Sequence, residues 1–111
     1  MTTRIGLDVD GVISAEPRLF SFLSHAIHKA GGEVFILTGD SEVDNKKRLD
    51  DWDIKYEALY VAPRPIAKNK AKYAKAVKLD FFLDNRGLNI LEVGAVCPVA
   101  LFMSESEDDL P

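Results

Sequence analysis

A single cysteine, Cys97, stands in the 111-residue chain. No intrachain disulfide can therefore staple the fold, and stability has to come from a packed core. The thiol lies in an apolar run over residues 96–103, where a free cysteine reads as a small, inert core residue. An excess of basic charge is also missing. Against 14 Lys and Arg stand 18 Asp and Glu, for a formal charge of −4. That excludes a protein that coats polyanions by charge alone, while a local basic patch, and nucleic acid as a partner, stay open. No apolar stretch approaches the ~20 residues that span a bilayer. Met1-Thr2-Thr3-Arg4 leads straight into a strand pattern with no apolar leader, so the expectation is a cytoplasmic protein without a membrane partner. Internal repeats and domain-splitting linkers are absent too. The chain reads as one domain over residues 1–103 followed by an acidic, solvated and mobile tail over residues 104–111.

What is present is an alternation of two periodicities. Residues 4–9 form a short apolar run that ends in acid and reads as a buried strand. Pro17 suits the first turn of a helix. Leu19, Leu23, Ala26, Ile27 and Ala30 then recur at helical spacing, with Ser21, Ser24, His25, His28 and Lys29 on the other, surface face. Gly31-Gly32 stops that helix. Residues 34–37 are a second strand, closed by Thr38-Gly39-Asp40. Residues 41–52 read as an exposed helix marked by Val43 and Leu49. Residues 58–61 are a third strand, followed by a link stiffened by Pro63 and Pro65, with Arg64 between them as a candidate substrate contact. The Lys- and Ala-rich stretch 66–77 has high helix propensity. Residues 79–83 are a fourth strand ending at Asp84, residues 85–93 a short helix, and residues 96–102 a fifth strand. Trp52, Tyr56 and Tyr60 are expected to pack in the core or at its rim.

Strands alternating with helices imply an α/β fold with a parallel sheet and helices on both faces. Such sheets bind ligands beyond the carboxyl ends of their strands. The polar residues at those ends are Asp8 and Asp10, Thr38, and Asp84. Carboxylates brought together without a cation repel, and one of them stays protonated. A hard divalent ion resolves the conflict: Mg²⁺ takes one or two carboxylates together with water and phosphate. Asp8 and Asp84 are the side-chain candidates for it. An ionised carboxylate beside such a metal can attack phosphorus. Asp8 is assigned that role, and Asp10, two residues on along an extended strand, is assigned proton transfer to the leaving oxygen and from water. Gly11 lets the chain turn sharply there. The Thr38 hydroxyl and the Gly39 N–H can reach phosphate oxygens. A cation from among Lys68, Lys70 and Lys72 can offset the charge of the transferring group.

These residues resemble the haloacid dehalogenase-like (HAD) superfamily. Gly6-Leu7-Asp8-Val9-Asp10-Gly11-Val12 is similar to its strand-borne Asp-x-Asp-Gly-Val motif, and Phe35-Ile36-Leu37-Thr38-Gly39 to its apolar run ending in Thr-Gly. The family's motif lysine is best matched by Lys70, then by Lys68. Phe81-Phe82-Leu83-Asp84-Asn85 resembles its strand ending in two acids, with Asn85 in place of the second and Asn89 at the position of a longer-spaced variant. The resemblance implies a Rossmann-like sheet in the order 5-4-1-2-3 and Mg²⁺ held by Asp8, Asp84 and the Asp10 backbone carbonyl. It also implies a phosphatase that works through an aspartyl-phosphate on Asp8. Segments 11–16 and 64–70 are too short for the family's cap domain. A capless site implies a phosphorylated substrate that is bulky or macromolecular, or a neighbouring copy in a homo-oligomer that supplies the cover. The alternative reading is a HAD-like interaction or regulatory module with little or no turnover.

Overall fold

A computed structural model, describing residues 2–39 and 44–104, converts this alternation into five parallel strands and four α-helices. In chain order they are β1 (Arg4–Leu7), α1 (Pro17–Lys29), β2 (Glu33–Gly39), α2 (Asn45–Asp51), β3 (Ala58–Ala62), α3 (Ile66–Val77), β4 (Phe81–Asp84), α4 (Gly87–Gly94) and β5 (Val99–Phe102). The sheet order is β3-β2-β1-β4-β5, the expected order read from the other edge. β1 is central, with Leu7 in register with Ile36 of β2 and Leu83 of β4.

The side-chain period of two splits the core into two layers. Val34 and Ile36 of β2 point to one face, where Phe20 of α1 and Leu49 of α2 cover them. Phe35 and Leu37 point to the other, beneath Ala71 and Ala74 of α3 and Val93 of α4. Val34, Ile36 and Leu37 are wholly excluded from solvent, each contributing roughly 1.5–3 kcal/mol of burial. Cys97 belongs to the second layer, and burial raises its thiol pKa. Only residues 8–16 separate β1 from α1, and residues 63–65 separate β3 from α3, so neither link has room for a cap. No helix among the described residues is long and apolar enough to cross a membrane.

Several boundaries differ from the sequence expectation for identifiable reasons. β1 stops at Leu7 rather than at residue 9, because residues 9–13 coil into a wide turn closed by Ile13 N–H to Asp8 O (3.4 Å) and Ser14 N–H to Val9 O (2.9 Å). Gly11 takes φ +80° there, a conformation that favours glycine, while Val9, Val12 and Ile13 are fully buried beneath it. The apolar run is therefore a buried turn, not more strand. β4 begins at Phe81 because Lys78 caps α3 in the left-handed conformation, φ 59°. β5 begins only after Pro98, which has no N–H to donate. The expected helix over residues 41–52 is seen as α2. Asp40 and residues 41–43, including the marker Val43, lie outside the described residues, as do residues 105–111 of the acidic tail.

On α1 the deepest residues are Phe20 and Ser24, not Leu19 and Ala26, which are exposed. Ser24 tolerates burial because its hydroxyl donates to Ser21 O (2.9 Å) and accepts from Lys55 N–H (3.0 Å). His28, expected on the surface, is partly buried: Nδ1 lies 2.8 Å from Ser24 O and Nε2 pairs with Glu57. His25 is exposed, near Asp53 O at 3.1 Å. Trp52 and Tyr56 pack on the first core layer, and Tyr60 stacks on Tyr73 with centroids 4.2 Å apart.

Candidate functional site

The carboxyl ends of β1, β2 and β4 surround one cleft of about 910 Å³. At its floor lie Asp8 and Lys70, part of an ion cluster that continues beneath it to Asp84. Lys70 Nζ lies 3.1 Å from Asp8 Oδ1 and 2.9 Å from Asp84 Oδ2, and all three residues are buried. Each element places its residue for a local reason. Asp8 is the first residue past β1, still extended at φ −81°, ψ 161°, and its N–H donates to Leu83 O at 3.1 Å, tying it to β4. Asp84 ends β4. Lys70 shares the buried face of α3 with Ala67, Ala71 and Ala74, and this alanine stripe lets the helix approach the sheet closely enough for the lysine to run along it into the floor.

Asp84 is the better satisfied of the two acids. Its Oδ2 also accepts from Asn89 Nδ2 (3.0 Å) and its Oδ1 from Arg86 N–H (3.0 Å). For Asp8, burial raises the carboxyl from its ordinary 3.8 to about 6; Lys70 pulls the value down and Asp84 pushes it up. Asp8 is thus ionised at neutral pH yet more basic than a surface carboxylate.

Asp10 is placed differently from its neighbours. Beyond β1 the chain has turned, and its carboxylate is exposed at the rim, where Oδ1 accepts from Arg48 Nη1 at 3.0 Å. Arg48 is fixed in turn by Asn45 Oδ1 (3.2 Å) and by the Trp52 ring, 4.9 Å from the guanidinium carbon to the centroid. Arg48 was not among the residues expected from the sequence. Thr38 is buried in the cleft wall, and its hydroxyl has no partner among the described residues. Gly39 lines the cleft beside Ile66; a Cβ on it would meet Ile66 Cδ1 at 3.2 Å. Lys68 stands exposed on the cleft wall. Lys72 is exposed outside the cleft lining, as is Arg64. Asn85 lies over Gly11, where a Cβ would fall 2.0 Å from its Nδ2, and its buried Oδ1 has no partner.

Among the described residues no group of three or more His, Cys, Asp or Glu side chains is arranged to hold a metal. The Asp10 side chain is held by Arg48, which leaves two carboxylates at the floor. That donor set still fits Mg²⁺, which takes one or two carboxylates and otherwise neutral oxygens. Lys70 is one donor on Asp8 Oδ1, which keeps a second lone pair for a cation, and the orphaned Asn85 oxygen would give a neutral ligand at the same rim. The cleft also faces the N-terminal ends of α3 and α4, whose unpaired N–H groups favour an anion.

Comparison with known proteins bears on the fold alone. No family model and no curated protein matches the chain. A solved structure of an uncharacterized protein from Corynebacterium glutamicum ATCC 13032 Kitasato covers 95% of this chain and 87% of its own, with a TM-score of 0.68 at 15% identity.

Proposed function

We propose that the chain is a cytoplasmic, Mg²⁺-dependent phosphomonoester hydrolase that works through an aspartyl-phosphate on Asp8. The observation that carries this reading is the buried Asp8–Lys70–Asp84 cluster at the floor of a cleft built from strand ends. The HAD-like spacing of the same residues supports it.

In this mechanism the substrate phosphate sits between the α3 and α4 N-termini, with the Thr38 hydroxyl, the Gly39 N–H and the Lys70 ammonium turned to its oxygens. Asp8 Oδ2 attacks phosphorus as the bond to the leaving oxygen breaks, and Asp10 gives that oxygen a proton. Water then attacks the acyl phosphate while Asp10 takes its proton back, releasing inorganic phosphate and restoring Asp8. Arg48 holds Asp10 by Oδ1 and leaves Oδ2 for these transfers. Asp8, Asp84, Asn85 and the Asp10 carbonyl would hold Mg²⁺, whose charge offsets that of the phosphoryl oxygens. An uncapped cleft of this kind suits a phosphorylated substrate too bulky to be enclosed.

The test is phosphate release from an aryl phosphate with Mg²⁺ and with chelator. The wild type should require the metal, and Asp8→Asn should lose turnover while keeping its circular dichroism. Wild-type rates in Asp8→Asn would exclude Asp8 as nucleophile. A second reading, a binding module without turnover, is favoured by the amide at Asn85 and by the grip of Arg48 on Asp10. Titration with beryllium fluoride separates the two: tight, Mg²⁺-dependent binding supports the enzyme.

A further inference from the structure

The chemistry at the floor of the cleft is polar, while its walls mix charged side chains with large apolar ones. Phe102 is the register partner of Asp84 across β4 and β5, so its side chain rises on the same face as the acid, one strand further out. Leu88 precedes Asn89, whose amide is bonded to Asp84. These two large apolar residues are 52% and 64% exposed and both line the cleft. Pro65 and Ile66 line the same cleft, with Ile66 packed on Gly39. Asp10, Lys68, Arg86 and Glu92 also line the cleft and can bond polar atoms of a leaving group, so the apolar pair sets a preference and not an exclusion. Phe102 and Leu88, left largely in water, gain most from a flat apolar body laid against them.

We infer that the leaving group of the substrate is planar and apolar, so that the site selects an aryl phosphomonoester over a sugar phosphate, with Phe102 and Leu88 as specificity-determining residues. The inference rests on the hydrolase reading for its turnover but not for its binding preference, and the two are separable. Two non-hydrolysable probes, naphthylmethylphosphonate and methylphosphonate, are titrated calorimetrically with Mg²⁺ into the wild type and into Phe102→Ser/Leu88→Ser. Both positions are solvent-exposed, and the methylphosphonate affinity reports that the floor is intact.

The wild type should bind the aryl probe at least ~10-fold more tightly than methylphosphonate. The double variant should lose about 10-fold on the aryl probe and less than about twofold on the small one. In turnover, the variant should lower kcat/KM for naphthyl phosphate about 10-fold more than for glycerol phosphate. This comparison cancels the unequal reactivity of the two leaving groups. Equal affinity for the two phosphonates, no binding of either, or an unchanged preference in the variant would overturn the inference. An aryl preference in binding without hydrolysis of any ester would uphold it and remove the hydrolase reading alone.

Discussion

Lys70 reaches Asp8 at 3.1 Å from a helix 62 residues further along the chain, and the same ammonium lies 2.9 Å from Asp84. One cation therefore joins the ends of β1 and β4 under the cleft. Removing it leaves two buried carboxylates facing each other. Lys70→Met should destabilise the protein by about 3–5 kcal/mol, read from urea unfolding at neutral pH, and should abolish any activity. A variant as stable as wild type would mean the cluster is solvated in solution.

The raised pKa of Asp8 makes a stability prediction of definite sign. Between its unfolded value of 3.8 and its folded value of about 6, the native state holds more protons than the unfolded one. Stability then falls as pH rises through that window. In chelator, wild type should lose about 2 kcal/mol from this group between pH 4 and 7, and Asp8→Asn should lose none of it. Asp8→Asn should consequently be at least as stable as wild type at neutral pH, the expected cost of a buried functional charge. Denaturation midpoints across pH 4–7 for both proteins measure this.

The buried Thr38 hydroxyl, unpartnered among the described residues, gives an opposite pair of effects. Thr38→Val keeps the shape and removes an unsatisfied polar atom, so stability should rise by about 1 kcal/mol. Affinity for inorganic phosphate should fall about tenfold, the worth of one hydrogen bond to a charged oxygen. Unchanged phosphate affinity would remove Thr38 from the binding set.

Arg48 is a positioning residue for Asp10. Arg48→Met should lower kcat about 10- to 100-fold through a misplaced carboxylate, leave KM near wild type, and change the pH profile of kcat. Arg48→Lys should recover part of the loss, since it restores a charge but not the planar fork. A fall in stability without these kinetic signatures would assign Arg48 to packing alone.

Much of this was legible in the sequence, because apolar runs that end in acid are visible without a structure. Asp8, Thr38 and Asp84 stand at the ends of the first, second and fourth strands, and a parallel sheet brings such ends to one edge. The sequence ranked Lys70 ahead of Lys68 by its distance from Asp84, and the structure decides between them. Ala67, Ala71 and Ala74 mark the buried face of α3, and only Lys70 falls on it. The turn at residues 9–13 was not, since its buried valines and isoleucine look like strand until Gly11 is seen at φ +80°. Nor was Arg48, whose bond to Asp10 spans 38 residues and joins two elements that no local pattern relates. Ser24 was hidden for a similar reason: its burial depends on hydrogen bonds to Ser21 and Lys55 that no helical wheel records.

The most direct measurement is to identify the atom that receives the phosphoryl group. The protein is incubated with Mg²⁺ and an aryl phosphate, quenched in acid, treated with hydroxylamine and digested for mass spectrometry. The account predicts a hydroxamate at Asp8 that is absent from Asp8→Asn and from chelated protein. A phosphoryl adduct on another residue, or phosphate release undiminished in Asp8→Asn, would contradict it.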